Sequence, residues 1–280
     1  MEWERAKTYI LLFFVLLNIV LGGLLVLERR RYTVVPAREQ AIIEIMERNN
    51  IYMDADIPRR FPPMRVMYVG GFCYDEYELA EIFFGTSDFQ RLQQGNLFIH
   101  EYSELVISHG FVSYSNPFGH GEGLTAFTLA AVEALATHFV DARWPDFELD
   151  SVFEEPEMMR LTFRQVYRGY MIHSNFIEIF VKEQGIVQVE LQFAEVLGIE
   201  RDRQQIAASD EVLLTFVQRI RSHAQAAPVV ITHMDLVFLQ EEGSPDPEGR
   251  YRAEPFYRIF IAGDEGDPFL INAVSNEIIN

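Results

Sequence analysis

The 280-residue chain is short of several things, and each shortage excludes something. It has one cysteine, Cys73, so no intramolecular disulfide can form and a thiolate metal cage would need ligands of other kinds. A domain of this size folds without disulfides, so the single thiol does not fix the compartment. There is no Asn-x-Ser/Thr triplet, as fits a protein outside the glycosylated eukaryotic set. Lysine occurs only as Lys7 and Lys182, against 21 arginines, which we read as coding bias. Positive charge is scarce altogether: 23 basic against 42 acidic residues give a formal net charge of -19. Such a surplus repels phosphate backbones and excludes nucleic acid as a natural partner. It also disfavours adsorption on anionic lipid, apart from the cluster Arg29, Arg30 and Arg31.

Catalytic signatures are missing as well. Gly119-His120-Gly121-Glu122-Gly123 is glycine-rich but lacks the Lys and Ser/Thr of a phosphate-binding loop, and reads as a loop before a helix. No His-Glu-x-x-His or Gly-x-Ser-x-Gly sequence occurs. The seven histidines are scattered, with no pair at metal-ligand spacing. Acids gather at Glu148, Asp150, Glu154, Glu155 and Glu157, and again at Asp264, Glu265 and Asp267. Neither group has the ordered spacing of a calcium loop, and both read as solvated loops. Cys73 has no histidine partner in sequence and reads as a quiescent thiol. No catalytic, cofactor or metal site is therefore expected, and the chain is expected not to be an enzyme.

What the chain does have is apolar residues, 49% of the total, and one long run of them. Thr8 to Leu27 is 20 residues without a charge. As a helix rising about 1.5 Å per residue it would span roughly 30 Å, the hydrocarbon thickness of a bilayer. A cleavable signal would have a shorter apolar core and a small-x-small cut site, whereas Val26-Leu27-Glu28-Arg29 offers none. The run reads as an uncleaved anchor, with a tail at 1–7 and the spanning helix at 8–28. Arg5 and Lys7 nearly balance Arg29, Arg30 and Arg31, so charge alone leaves the orientation open. Asn18 falls near mid-membrane, and Gly22 lies one turn on, with Gly23 adjacent. Leu11, Phe14 and Leu25 extend that face. Small residues admit a second helix closely and an Asn can hydrogen-bond to it, although a lone Asn beside lipid with incidental glycines stays open. Trp3, Lys7, Arg29, Arg30 and Arg31 would sit at the membrane boundaries.

The remainder alternates helical and strand patterns. Pro36 to Asn49 predicts a helix with Pro in its first turn and Asn49-Asn50 as its stop. Ile57 to Pro63 predicts loop, Met64 to Val69 a strand, Tyr74 to Phe84 a short helix, and Leu97 to Ser115 a run of strands ending in a loop at 116–123. Leu124 to Arg143 predicts a buried helix. Leu161 to Arg168 predicts a strand leading into a hairpin, whose Ile177, Ile179, Val181 and Val187, Val189, Leu191 face a core at period two. A helix capped at Ser209 or Asp210 follows, with Leu213, Phe216, Val217 and Ile220 as its buried stripe. Three more strands are predicted at 229–239, 256–262 and 269–274. A helix followed by three strands thus occurs twice, with a more decorated version before it. The expected class is α+β, antiparallel sheets with helices on one face, in two subdomains at 33–122 and 123–280.

Several of these stretches resemble the YycI family, membrane-anchored regulators of the WalK/WalR (YycG/YycF) two-component system in low-GC Gram-positive bacteria. The resemblance rests on Met1-Glu2-Trp3, Ala6-Lys7-Thr8 and Leu17-Asn18. Further in it rests on Phe163-Arg164-Gln165, Tyr167 and Gly169, and at the end on Pro255-Phe256-Tyr257-Arg258-Ile259 with Leu270-Ile271-Asn272-Ala273. That ending is also similar to the small PepSY-type module, a helix packed on a strand meander. The resemblance implies a single-pass protein of the cytoplasmic membrane, N-terminus inside and C-terminal domain outside. Its implied partners are a WalK-like sensor histidine kinase and a YycH-like sister regulator, met partly through transmembrane helices, in cell-wall signalling without catalysis. A membrane-tethered PepSY-type binding or peptidase-inhibitory module is the alternative.

Overall fold

The computed structural model describes residues 2–71, 75–92, 96–108, 110–120, 123–222, 227–241, 243–263 and 268–279. Cys73, Gly121, Glu122, Asp264, Glu265 and Asp267 lie outside the described residues. In chain order the first elements are α1 (Glu2–Arg31), α2 (Pro36–Glu47), β1 (Ile51–Met53), β2 (Met67–Val69) and α3 (Glu76–Phe84). Next come β3 (Gln90–Arg91), β4 (Leu97–His100), β5 (Ser103–Ser108), β6 (Phe111–His120), α4 (Leu129–Asp141), β7 (Phe147–Glu155) and β8 (Met158–Tyr167). The chain continues with β9 (Tyr170–Lys182), β10 (Gly185–Gln192), β11 (Val196–Ile199), α5 (Ser209–Ser222), β12 (Val229–Gln240), β13 (Tyr251–Ile261) and β14 (Phe269–Asn272).

Helix boundaries follow local chemistry. Pro36 opens α2, where its missing N–H costs nothing, and Asn50, at φ 58°, turns the chain after it. Asp75 caps α3, its carboxylate accepting from the backbone N–H groups of Tyr77 and Glu78, and Gly85 closes the helix in the left-handed region. Thr128 caps α4, so this helix starts at Leu129 and not at the expected Leu124.

The strands form one mixed sheet with fourteen described members and a continuous order β11-β2-β13-β12-β9-β10-β6-β5-β4-β3. This corrects the expectation of purely antiparallel sheets, because β1 runs parallel to β12, pairing Ile51 with Val229. The predicted hairpin is β9–β10, and Ile177, Ile179, Val181, Val189 and Leu191 are buried along it. Four strands escaped the sequence reading: β1, β3, β7 and β11. The loop expected at 116–123 is strand as far as His120, because β6 bulges and rejoins β10 at the pair His120–Ile186. Each of α3, α4 and α5 is followed by an antiparallel meander: β3–β6, β7–β10 and β12–β14.

Two clusters of buried residues form the core among the described residues. One gathers Leu79, Phe83, Leu105, Val132, Phe163, Ile179 and their neighbours, and reaches no further than Leu191 among its fully buried members. The other joins residues from both sides of that block, Val34 to Val69 with Ile172 and Ala194 to Ala273. The segment after α1 therefore completes the unit built by the C-terminal strands, and α3 to β10 form a second unit between them.

The first helix stands apart. Its large apolar side chains from Tyr9 to Leu24 are exposed. Among the described residues no helix is long and apolar enough to cross a membrane, so the described part of α1 falls short of the expected span 8–28. The side chains of Thr8, Leu25 and Val26, which complete the uncharged run, lie outside the described residues. At its base, Val34 N–H donates to the Arg59 carbonyl and Phe61 N–H to that of Tyr32, tying the helix exit to the loop before β2.

Candidate functional site: an arginine-centred cluster beside a groove

The helix face singled out in sequence is exposed at its described residues. Leu11, Phe14 and Asn18 are exposed, and a Cβ built on Gly22 or Gly23 meets nothing within 4 Å. The Asn18 amide turns back and donates to the Phe14 carbonyl at 2.8 Å. Part of its polar demand is met within the helix, so a second helix is not obligatory for it. Lys7 Nζ lies 5.5 Å from the Trp3 ring centroid, and the Arg31 guanidinium stands over Tyr32 at 5.8 Å. The side chains of Leu25, Arg29 and Arg30 lie outside the described residues.

A second site, unforeseen in sequence, lies where the two units meet. Two irregularities build it. On β8, Arg164 pairs with Phe176 of β9 but Gln165 pairs with Ile172, so His173, Ser174 and Asn175 bulge from the ladder. Fully buried Asn175 holds that bulge, donating to Gln165 Oε1 at 2.6 Å and to the Ala194 carbonyl at 2.9 Å. Its own Oδ1 accepts from the Ala194 N–H at 3.2 Å. On β7, Leu149 pairs with Phe163 and Ser151 with Thr162, leaving Asp150 as an extra residue. A bulge re-aims a side chain, and here it turns Asp150 toward the other unit.

There it meets Arg258 of β13, whose side chain is 1% exposed. Arg258 Nη1 and Nη2 donate to the two oxygens of Asp150, each at 2.8 Å. Its Nε and Nη2 grip Asp235, the β12 residue opposite, at 2.9 and 2.6 Å. Arg164 adds Nε to Asp150 Oδ2 at 3.0 Å and donates to the His173 carbonyl. Two guanidinium groups and two carboxylates thus cancel, and Arg258 makes bidentate, charge-assisted bonds to both acids. The acidic stretch of β7, read in sequence as a solvated loop, is a strand with one buried partner for an arginine 108 residues away.

Burial by itself would raise the Asp150 carboxyl, but Arg258 and Arg164 outweigh it and hold it below its ordinary value. Burial would likewise lower Arg258, and Asp235 with Asp150 drive it above its usual range. His173, desolvated and flanked by both guanidinium groups, is pushed down to about 3. Its Nδ1 lies 3.4 Å from Arg258 Nη1, and since a guanidinium only donates, Nδ1 accepts and the proton sits on Nε2. A histidine held neutral this way is a poor proton donor at ordinary pH. The cluster joins the two units.

A groove of about 1070 Å³ opens beside it, walled by Arg164, Phe176 and Glu178 from one unit and by Gln240, Glu241 and Phe256 from the other. Partial desolvation and the neighbouring Glu254 raise the carboxyl pKa of Glu241. Gln240 Oε1 is buried there with no hydrogen-bond partner. The groove offers acceptors over an aromatic floor. Among the described residues no group of three or more His, Cys, Asp or Glu could hold a metal ion.

No protein-family model matches the chain, and no curated protein matches it in sequence. Several solved structures resemble it, and two of them illustrate the likeness. An uncharacterized protein from Eubacterium rectale ATCC 33656 superposes with a TM-score of 0.56 at 11% identity, over 82% of this chain and 90% of that one. The YpeB C-terminal domain of Bacillus megaterium gives a TM-score of 0.41 at 10% identity, over 75% of this chain and 97% of the domain. At such identity the likeness concerns architecture alone: the chain shares its α+β body with the first of these structures.

Proposed function

We propose that this protein is a membrane-anchored, non-enzymatic regulator whose body stands outside the cytoplasmic membrane and whose first helix meets a sensor histidine kinase of the YycI-regulated type. One observation carries the reading. Helix α1 is 30 residues long, its described apolar side chains from Tyr9 to Leu24 are exposed, and the rest of the chain does not cover them. With the flanking residues its uncharged run reaches 20, the length a bilayer demands. A helix so exposed needs lipid, another helix, or both. Control of a kinase then requires that the kinase have two helix arrangements that bind α1 with different affinity.

The face Leu11, Phe14, Asn18 and Gly22 is where such a helix would pack. Asn18 retains acceptor capacity after its bond to Phe14, and Gly22 and Gly23 leave room for close approach. Replacing Asn18 by Leu and Gly22 by Ile in the full chain is expected to reduce co-purification with the kinase and to change kinase output while membrane retention is unchanged. Undiminished co-purification with unaltered output would sink helix-mediated control. A reporter fused after Asn280 tests topology, and activity only of a cytoplasm-dependent reporter would overturn the outside placement.

A second reading is favoured by the helix-plus-meander order of α5 with β12–β14: a tethered PepSY-type module that binds or inhibits an extracellular peptidase. It predicts inhibition that survives loss of the kinase contact, whereas the first reading predicts that the helix variants abolish function.

A further inference from the structure

Positive charge is scarce in this chain, and several of its described arginines are spent on carboxylates. Arg38, Arg59, Arg91, Arg250, Arg252 and Arg258 all lie in ion pairs. Among the described arginines outside such pairs, three converge. Arg65, Arg168 and Arg203 line one pocket of about 290 Å³, and no acidic residue lines it with them. Tyr167 and Tyr170 supply hydroxyl groups at its wall, and buried Met67 and Phe238 its apolar floor. Among the described residues none of the three arginines has a carboxylate within 4.0 Å. In a chain of net charge -19, a pocket with three unspent guanidinium groups and no acid is a local reversal of the field.

Arg168 is held there at some expense. It and Gly169 are the two central residues of the β8–β9 hairpin, closed by the pair Tyr167–Tyr170, with φ of 53° and 80°. Both positions of such a turn want Asn, Asp or Gly, and a left-handed conformation is strained for an ordinary side chain. An arginine at the first of them gives up local stability to carry its charge to the pocket mouth.

The pocket also has a place. Its Pro62 and Pro63 directly follow Arg60 and Phe61, which pair with Thr33 and Tyr32 at the foot of α1. Two extended residues reach about 7 Å, so the pocket opens at the end of the body where α1 enters. We infer that this pocket receives the phosphate headgroup of an anionic phospholipid at the membrane surface where α1 emerges, its apolar floor taking the first carbons of the lipid. This rests on the reading of α1 as a membrane anchor. The body would thereby be held against the bilayer at a second point, fixing its orientation about the helix.

The test uses the full chain in neutral detergent and native mass spectrometry, with phosphatidylglycerol and phosphatidylcholine as probes. Wild type should retain phosphatidylglycerol in preference to phosphatidylcholine. The triple variant Arg65→Gln, Arg168→Asn, Arg203→Gln should bind it about a hundredfold more weakly, from the roughly 1 kcal/mol each basic residue contributes at an anionic surface. Arg48→Gln with Arg221→Gln, two exposed arginines elsewhere, should leave binding unchanged. Arg168→Asn alone should weaken binding yet keep or raise the melting temperature, since Asn suits the turn, which separates lost binding from lost folding. Equal retention of both lipids, or equal loss in the control pair, would overturn the proposal. Competition by glycerol 3-phosphate at equal headgroup concentration would reassign the pocket to a soluble phosphate, and displacement by a glutamate-rich peptide to an acidic protein. Alkaline carbonate extraction checks the anchor separately: an extractable chain that still selects phosphatidylglycerol refutes the anchor and spares the pocket, and a retained chain without selectivity does the reverse.

Discussion

Replacing Asp150 with Ala is the sharpest test of how the two units are joined. It removes the one carboxylate that contacts both Arg258 and Arg164, whose side chains are 1% and 12% exposed. Arg258 keeps Asp235, but two of its four bonds to carboxylate oxygens vanish, and Arg164 loses its only carboxylate partner among the described residues. Breaking a buried pair from one side costs about 3–5 kcal/mol, because a desolvated charge is left behind. With a urea dependence of roughly 2–3 kcal/mol per molar, the midpoint should fall by about 1–2 M. Trp144 packs beside Phe83 and Phe139 and so reports the inserted unit, while far-ultraviolet circular dichroism reports the whole chain. Wild type should give coincident transitions by the two probes. In the variant the dichroism midpoint should move further than the Trp144 midpoint, because Arg258 and Asp235 belong to the other unit. A shift no larger than that of Glu154→Ala, an exposed acid of the same strand, would refute the reasoning. So would identical displacement of both probes.

Two further outcomes follow from particular residues. His173 is held near 3 in the folded state and titrates around 6.5 when unfolded, so the unfolded chain takes up the proton first as pH falls. Its contribution is complete above about pH 6.5 and drains toward pH 3, reaching on the order of 2 kcal/mol by pH 5. Thermal melts from pH 8 to 4 should therefore fall less steeply in His173→Gln, and parallel curves would refute the assignment. Gly119 has φ of +84°, and a Cβ there would lie 2.0 Å from the Gln184 carbonyl oxygen. Gly119→Ala should cost about 2–5 kcal/mol by strain and displacement together, and a denaturation midpoint within experimental error of wild type would contradict the geometry.

The legible parts of this fold were those encoded locally. The alternation at Ile177–Val181 and Val189–Leu191, the proline opening α2 and the stripe Leu213, Phe216, Val217, Ile220 each carry a period or a stop that neighbours alone produce. Strand β7 was illegible because its sequence, FELDSVFEE, is an edge strand with much of its surface in solvent, and its acids mask the alternation. The ion cluster was harder still. Asp150 and Arg258 are 108 residues apart, and each is brought to the other by pairing registers that no local pattern specifies. The bulges at Asp150 and His173 are shifts of register, and a shift is defined only against a partner strand. In Arg168-Gly169, by contrast, the glycine signals a turn, but nothing in the sequence says that Arg65 and Arg203 join it.

The interrupted core has a consequence for how the chain is made. Val34, Ile42, Met46 and Ile51 leave the synthetic machinery early, yet their core is completed by residues as late as Ile271 and Ala273. The inserted unit is closed by Leu191 and can condense while the rest is still being synthesised. The segment nearest α1 must then wait, its apolar face open, until β12 supplies the parallel partner for Ile51. Assembly would run from the middle outward, and the two ends would meet last, beside the foot of the first helix.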